Sequence, residues 1–124
     1  MLKDSKNIAK VIIEKDNKFL ILMRADNGKL DLPGGHCHIG ESFVVGACRE
    51  VMEETGLSCF GLEEAVRYEK KMIFSCKSFA GDIKLDLSEN TSFFWHDKNN
   101  ADSIHSNACT DVLVAAIAHC MILK

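Results

Sequence analysis

Apolar residues recur along this chain with two different periods, and the switch between them outlines the elements. Ile8 to Ile13 and Phe19 to Met23 are short apolar runs separated by Lys15-Asp16-Asn17-Lys18. Runs of this length joined by turn-forming residues predict a β-hairpin. Asp26-Asn27-Gly28 marks a second turn, and Leu30 to Leu32 predicts a short strand ending at Pro33-Gly34-Gly35, where the only proline of the chain stands. From Phe43 to Thr55 the period changes. Val44, Ala47, Cys48 and Val51 recur at helical spacing and predict one buried stripe, with Ser42 as N-cap and Gly56 as the C-terminal stop.

Past the helix, Phe60 to Ala80 is rich in β-branched and aromatic residues and is followed by a Gly81-Asp82 turn, and Thr91 to His96 predicts a further strand. Asp102 to Thr110 predicts a polar loop. The segment from about Cys109 to Leu123 is apolar nearly all round, which predicts a helix packed on a sheet with other structure beyond it. Strands on both sides of a central helix, with a terminal helix, imply an α/β (α+β) sandwich whose mixed sheet lies between helices. No internal repeat or low-complexity tract interrupts it.

Composition narrows the functional classes. A length of 124 residues suits one domain, residues 1–124. A formal net charge of -3 argues against a broad electrostatic grip on nucleic acid, while leaving room for a small anionic ligand held by local cations or a metal. Met1 to Lys10 mixes Lys, Asp and Asn without an apolar core of signal-peptide length, so a cytoplasmic location is expected. The longest apolar stretch, Val112 to Leu123, falls short of the ~20 residues that span a bilayer. Cys37, Cys48, Cys59, Cys76, Cys109 and Cys120 are spread without any Cys-x-x-Cys pair and read as reduced structural thiols.

The predicted helix carries the chemistry. Glu50, Glu53 and Glu54 stand at i, i+3 and i+4, a spacing that puts three carboxylates on one face. Their mutual repulsion, and the nearness of Glu53 and Glu54 to the negative end of the helix dipole, each cost roughly a few tenths of a kcal/mol. Only Arg49 is close enough along the helix to offset them, so a solvated acidic face is the weaker explanation. A divalent cation turns repelling carboxylates into ligands. All-oxygen donors without a supporting Cys/His cluster point to Mg2+, with Mn2+ able to substitute, and carboxylate-bound Mg2+ suits phosphoryl chemistry. Pro33-Gly34-Gly35 and Gly40-Glu41 form a tight loop before the helix, and they match neither a P-loop nor a dinucleotide-binding fingerprint.

Taken together, Gly35, five residues, Glu41, seven residues, Arg49-Glu50-Val51, Met52, Glu53-Glu54, Thr55 and Gly56-Leu57 resemble the Nudix box at every defined position. The resemblance implies a Nudix α/β/α sandwich and a metal-dependent hydrolase that cleaves a phosphoanhydride bond of a nucleoside diphosphate derivative. It implies Glu50, Glu53 and Glu54, with Gly35 through its carbonyl, as metal ligands. Glu41 and Arg49 would form an ion pair that fixes the loop against the helix. Glu53, Glu54 or Glu89 would take the proton of the attacking water. Arg24 is similar to an arginine set against substrate phosphate, or is a solvated strand end; Asn107 is similar to a base-contacting asparagine, or is the N-cap of the last helix.

Phe74, Phe79 and Tyr68 offer rings for a base but sit at strand positions, where core packing is the simpler expectation. His36 and His38 flank the loop. The short chain with Arg24 and Asn107 is similar to the MutT-type members, which release pyrophosphate from nucleoside triphosphates, sometimes oxidised ones. ADP-ribose or dinucleoside polyphosphate hydrolysis, a non-catalytic nucleotide-binding module and a zinc-binding interaction domain are the alternatives. The expected partner is a small nucleotide, with no membrane and no extended nucleic acid, and the chain is expected as monomer or homodimer.

Overall fold

A computed structural model describes residues 6–122. The readings made above on residues 1–5 and on Leu123 lie outside them. Strands β1 (Ile8–Lys15) and β2 (Lys18–Arg24) form the expected hairpin. Asp16 and Asn17 take φ of 54° and 61°, the left-handed pair of a tight hairpin turn, which Asp and Asn tolerate better than most residues. Then follow β3 (Leu30–Asp31), β4 (Gly34–His36), α1 (Phe43–Thr55), β5 (Ser58–Phe60), β6 (Glu63–Tyr68), β7 (Lys71–Cys76), β8 (Ser78–Ala80), β9 (Asn90–Asp97) and α2 (Asp111–Ile122).

β1 lies parallel to β7 and antiparallel to β2, and β6 and β9 extend the mixed sheet beyond β7 and β2. β1 meets β2 only at Glu14–Phe19 and Lys15–Lys18. Below that point the two strands diverge. The chain from Leu30 to His36 fills the fork, with β3 on β2, β4 on β1, and the Val11 N–H donating to the Pro33 carbonyl at 2.9 Å.

Strand alternation explains the two cores. Ala9, Val11, Ile13, Leu20, Leu22, Met72 and Phe74 pack on one face against Ala47 and Val51 of α1. Ile12, Phe19, Ile21 and Ile73 point the other way, against Val112, Leu113, Ala116 and Cys120 of α2. Strands buried on both faces read as continuous apolar runs, as these do. The arrangement is the expected α/β/α sandwich.

Several details differ from the sequence reading. On α1 the buried residues are Gly46, Ala47, Val51 and Thr55, whereas Val44 is exposed and Cys48 half-buried. The helix is thus rotated so that its Gly46-Glu50-Glu54 edge turns toward β4. The Ser42 hydroxyl accepts the Val45 N–H, and Gly56 at φ 77° closes the helix, as its sequence suggested. The expected polar loop from Asp102 to Thr110 begins at the end of one 3-10 segment, Lys98–Ser103, and contains a second, Ser106–Ala108. α2 starts at Asp111 rather than Cys109, capped by the Thr110 hydroxyl, which accepts the Leu113 N–H. Its far side is open among the described residues, with Val114, Ala118 and Ile122 exposed, in place of the covering structure expected from its apolar circumference. No described helix is long and apolar enough to cross a membrane.

Candidate active site

The fork between β1 and β2 opens into a cavity of about 290 Å3. Gly35 and His36 of β4, Glu50 and Glu54 of α1 and Glu89 before β9 supply one part of its lining. Lys10, Arg24, Asp31, Lys71, Thr110 and Asp111 supply another. Acidic and basic groups from seven segments therefore face one small volume.

Glu54 is held from the loop side: its Oε1 accepts the Gly34 N–H at 2.9 Å. Burial pushes its carboxyl up to about 7, against the opposing pull of the Lys10 ammonium and the Gly34 N–H. Glu50 is also raised by burial, with Arg49 acting against it. Gly35 lets Glu50 in. A Cβ on Gly35 would stand 2.8 Å from Glu50 Oε1, so only the bare Cα leaves room for the carboxylate.

Arg49 and Glu41 form the ion pair that the resemblance implied. Arg49 Nε donates to Glu41 Oε2 at 2.8 Å and Nη2 to Oε1 at 3.0 Å, a bidentate pair that lowers Glu41 to about 2. Arg49 Nη2 also donates to the His36 carbonyl at 3.0 Å, tying β4, the loop and α1 together. Its Nη1 reaches Glu50 at 3.3 Å and Glu53 at 3.1 Å. Glu53 is exposed, outside the cavity lining, and turned to the Arg49 nitrogen that also reaches Glu50, so of the three glutamates Glu50 and Glu54 border the cavity.

Other residues singled out above fall as follows. Arg24 reaches the cavity while donating to Asp26 at 2.6 and 2.9 Å and to Asp31 at 3.5 Å. Glu89 is an exposed part of the lining, and its carbonyl accepts the Ala25 N–H. Asn107 lies in a 3-10 turn, exposed and outside the lining; it is not the α2 N-cap, a role filled by Thr110. Phe74 is core, Phe79 stacks on Trp95, and Tyr68 packs against the second core.

Sequence reasoning missed Lys10, Asp31, Lys71, Thr110 and Asp111. Lys10 had one visible signal, a lysine in the middle of an apolar strand. The others carry no short-range pattern, since Lys71 and Asp111 meet at 2.6 Å across 40 residues.

The donor set fits a hard divalent cation. Among the described residues no three His, Cys, Asp or Glu side chains converge as a ready-made cage. Mg2+ does not need one, because it commonly takes one or two carboxylates and completes its shell with water and substrate phosphate oxygens. Glu50, Glu54 and Gly35, on one cavity wall, meet that description.

Known proteins share this fold. The NUDIX domain profile matches residues 5–108, and the chain belongs to that family. A MutT-like protein of Streptomyces ambofaciens is 34% identical over 97 residues, covering 73% of this chain and 62% of the relative. An ADP-ribose pyrophosphatase of Methanocaldococcus jannaschii is 49% identical over 49 residues, 37% of this chain and 29% of that protein. The chain thus spans less than two thirds of either relative. The crystal structure of a MutT NUDIX hydrolase from Burkholderia pseudomallei superposes with a TM-score of 0.78 at 17% identity, covering 90% of this chain and 95% of that one, a likeness of fold.

Proposed function

We propose that this protein is a Mg2+-dependent hydrolase of nucleoside phosphoanhydrides, acting on a nucleoside triphosphate to give monophosphate and pyrophosphate. The observation that carries the reading is the single cavity that Glu50, Glu54 and Gly35 line together with Arg24 and Lys71. Carboxylates alone would repel a polyphosphate; carboxylates that hold a cation, with further cations beside them, accept one.

Glu50 and Glu54, with the Gly35 carbonyl, would hold the metal. Once bound, it would neutralise phosphate charge, polarise phosphorus and lower the pKa of water. Arg49 keeps the ligand-bearing helix and β4 in register through Glu41 and the His36 carbonyl. Glu54 or Glu89, both in the cavity lining, would take the proton from attacking water, whereas Glu53 would first have to leave Arg49. Arg24, in the same lining, would pair with phosphate oxygens on release from Asp26. No covalent intermediate is required.

Hydrolysis of ADP-ribose is the second reading, favoured by the likeness of a 49-residue stretch to an ADP-ribose pyrophosphatase. A panel of nucleoside triphosphates, ADP-ribose and dinucleoside polyphosphates, assayed with Mg2+ for pyrophosphate and phosphate, separates the two. Glu50→Gln and Glu54→Gln are each expected to lower turnover about 100-fold or more while the chain stays folded. Wild-type rates in both variants would sink the metal assignment.

A further inference from the structure

Lys10 occupies the middle of β1, where its strand neighbours Ala9 and Val11 are wholly buried, and it is itself only 7% exposed. A buried lysine is costly unless its charge is paired and its donors are used. Here all three are. Lys10 Nζ donates to Asp31 Oδ2 at 2.8 Å, to the Gly34 carbonyl at 3.0 Å and to the Leu32 carbonyl at 3.3 Å. Asp31, 3% exposed, is equally committed: its Oδ1 accepts the Thr110 hydroxyl at 2.8 Å and the Leu32 N–H at 2.8 Å.

With no donor left over, Lys10 in this arrangement is not a free phosphate ligand. Its position suggests another role. The Leu32-Pro33-Gly34 segment fills the fork between β1 and β2 and has only short pairings there. Lys10 clamps that segment on both sides of Pro33. The residue whose carbonyl it grips, Gly34, is the one whose N–H holds Glu54. The next residue, Gly35, makes the space for Glu50.

We propose that Lys10, paired with Asp31, is a positioning residue for the cation site: it sets the Gly34-Gly35 backbone so that Glu50 and Glu54 face the cavity together. The proposal rests on the metal-dependent reading above. Groups that orient metal ligands without touching the metal are typically worth about 10–100-fold in affinity or activity.

The test removes the pair without changing the net charge of the cavity. Lys10→Met/Asp31→Asn loses one positive and one negative charge, so a change in cation binding reports position rather than field. The single Lys10→Met variant strands a buried carboxylate and is expected to melt well below the double variant. Lys10→Arg, which keeps the charge but not a point donor for three convergent acceptors, is the second probe.

Mn2+ affinity, read by electron paramagnetic resonance of the free ion, and kcat and KM on the best nucleotide are measured for each folded variant. The expected result is Mn2+ affinity and kcat both lower by about tenfold or more, with KM changed less. Wild-type Mn2+ affinity and kcat in a folded double variant, or in Lys10→Arg, overturn the proposal. If the wild-type protein binds Mn2+ but hydrolyses no nucleotide, the substrate reading fails while the affinity comparison still decides the role of Lys10. If it binds no Mn2+, both fall.

Discussion

At the scale of single residues, the two adjacent glycines of β4 do different work. Gly34 has φ 128°, and a Cβ there would stand 2.2 Å from the Ala9 carbonyl oxygen, a backbone atom that cannot step aside. Gly35 meets only the end of the Glu50 side chain. Gly34→Ala is therefore expected to lower folding stability by about 2–3 kcal/mol or more, measured by denaturant unfolding. Gly35→Ala should leave stability nearly unchanged, since a carboxylate can swing away, yet reduce hydrolysis sharply because that carboxylate is proposed to hold the cation. Equal stability losses in the two variants would contradict this division.

Elements are held in register by charge as much as by packing. The loop after β4 joins α1 through the bidentate Glu41–Arg49 pair, with the Glu41 Oε1 also accepting the His38 N–H at 2.8 Å. Because Glu41 falls to about 2 in the folded protein, below its ordinary value of 4.5, its ionised form favours folding. That contribution is complete above about pH 4.5 and lost as pH drops toward 2. Glu41→Gln should accordingly be less stable than wild type at pH 7, with the gap narrowing between pH 4.5 and 2. Unfolding midpoints in urea across that range test it; a gap constant with pH would remove the ion pair as its cause. The same pair shows what the sequence could reveal at this scale. Arg49 was legible as the one cation near three glutamates, but its hold on the His36 carbonyl was not, because a side-chain to backbone bond across 13 residues has no sequence pattern.

For the whole molecule, the sandwich brings Lys10, Asp31, Glu50, Glu54, Lys71, Glu89 and Asp111 to one cavity. A cation that binds the folded carboxylates and not the unfolded chain must stabilise the fold. Millimolar Mg2+ is expected to raise the melting temperature, by about 3–6 °C for each kcal/mol of binding stabilisation in a domain of this size. The rise should shrink in Glu50→Gln and Glu54→Gln. A thermal scan that stays flat with added Mg2+ or Mn2+ would count against the site.

The sequence by itself determined the first hairpin, the long helix with both of its caps, and the residues of the box, because each depends on spacing within a few positions along the chain. Gly34 and Gly35, read as loop, enter β4 only by pairing with β1. Amphipathic period, capping chemistry and like-charge repulsion at i+3 and i+4 all act at that range. Only the tertiary structure decided which glutamates share the cavity. The rotation of α1 on the sheet sends Glu50 and Glu54 inward and leaves Glu53 with Arg49, and that rotation is set by which face packs on the sheet. The N-cap place offered to Asn107 falls to Thr110, three residues on, whose hydroxyl caps α2 and donates to Asp31 across 79 residues, a bond with no local pattern. The Lys10–Asp31 pair was hidden because its partners lie 21 residues apart and meet only where β1 and β2 diverge, a separation that comes from chain pairing in space rather than from any local preference.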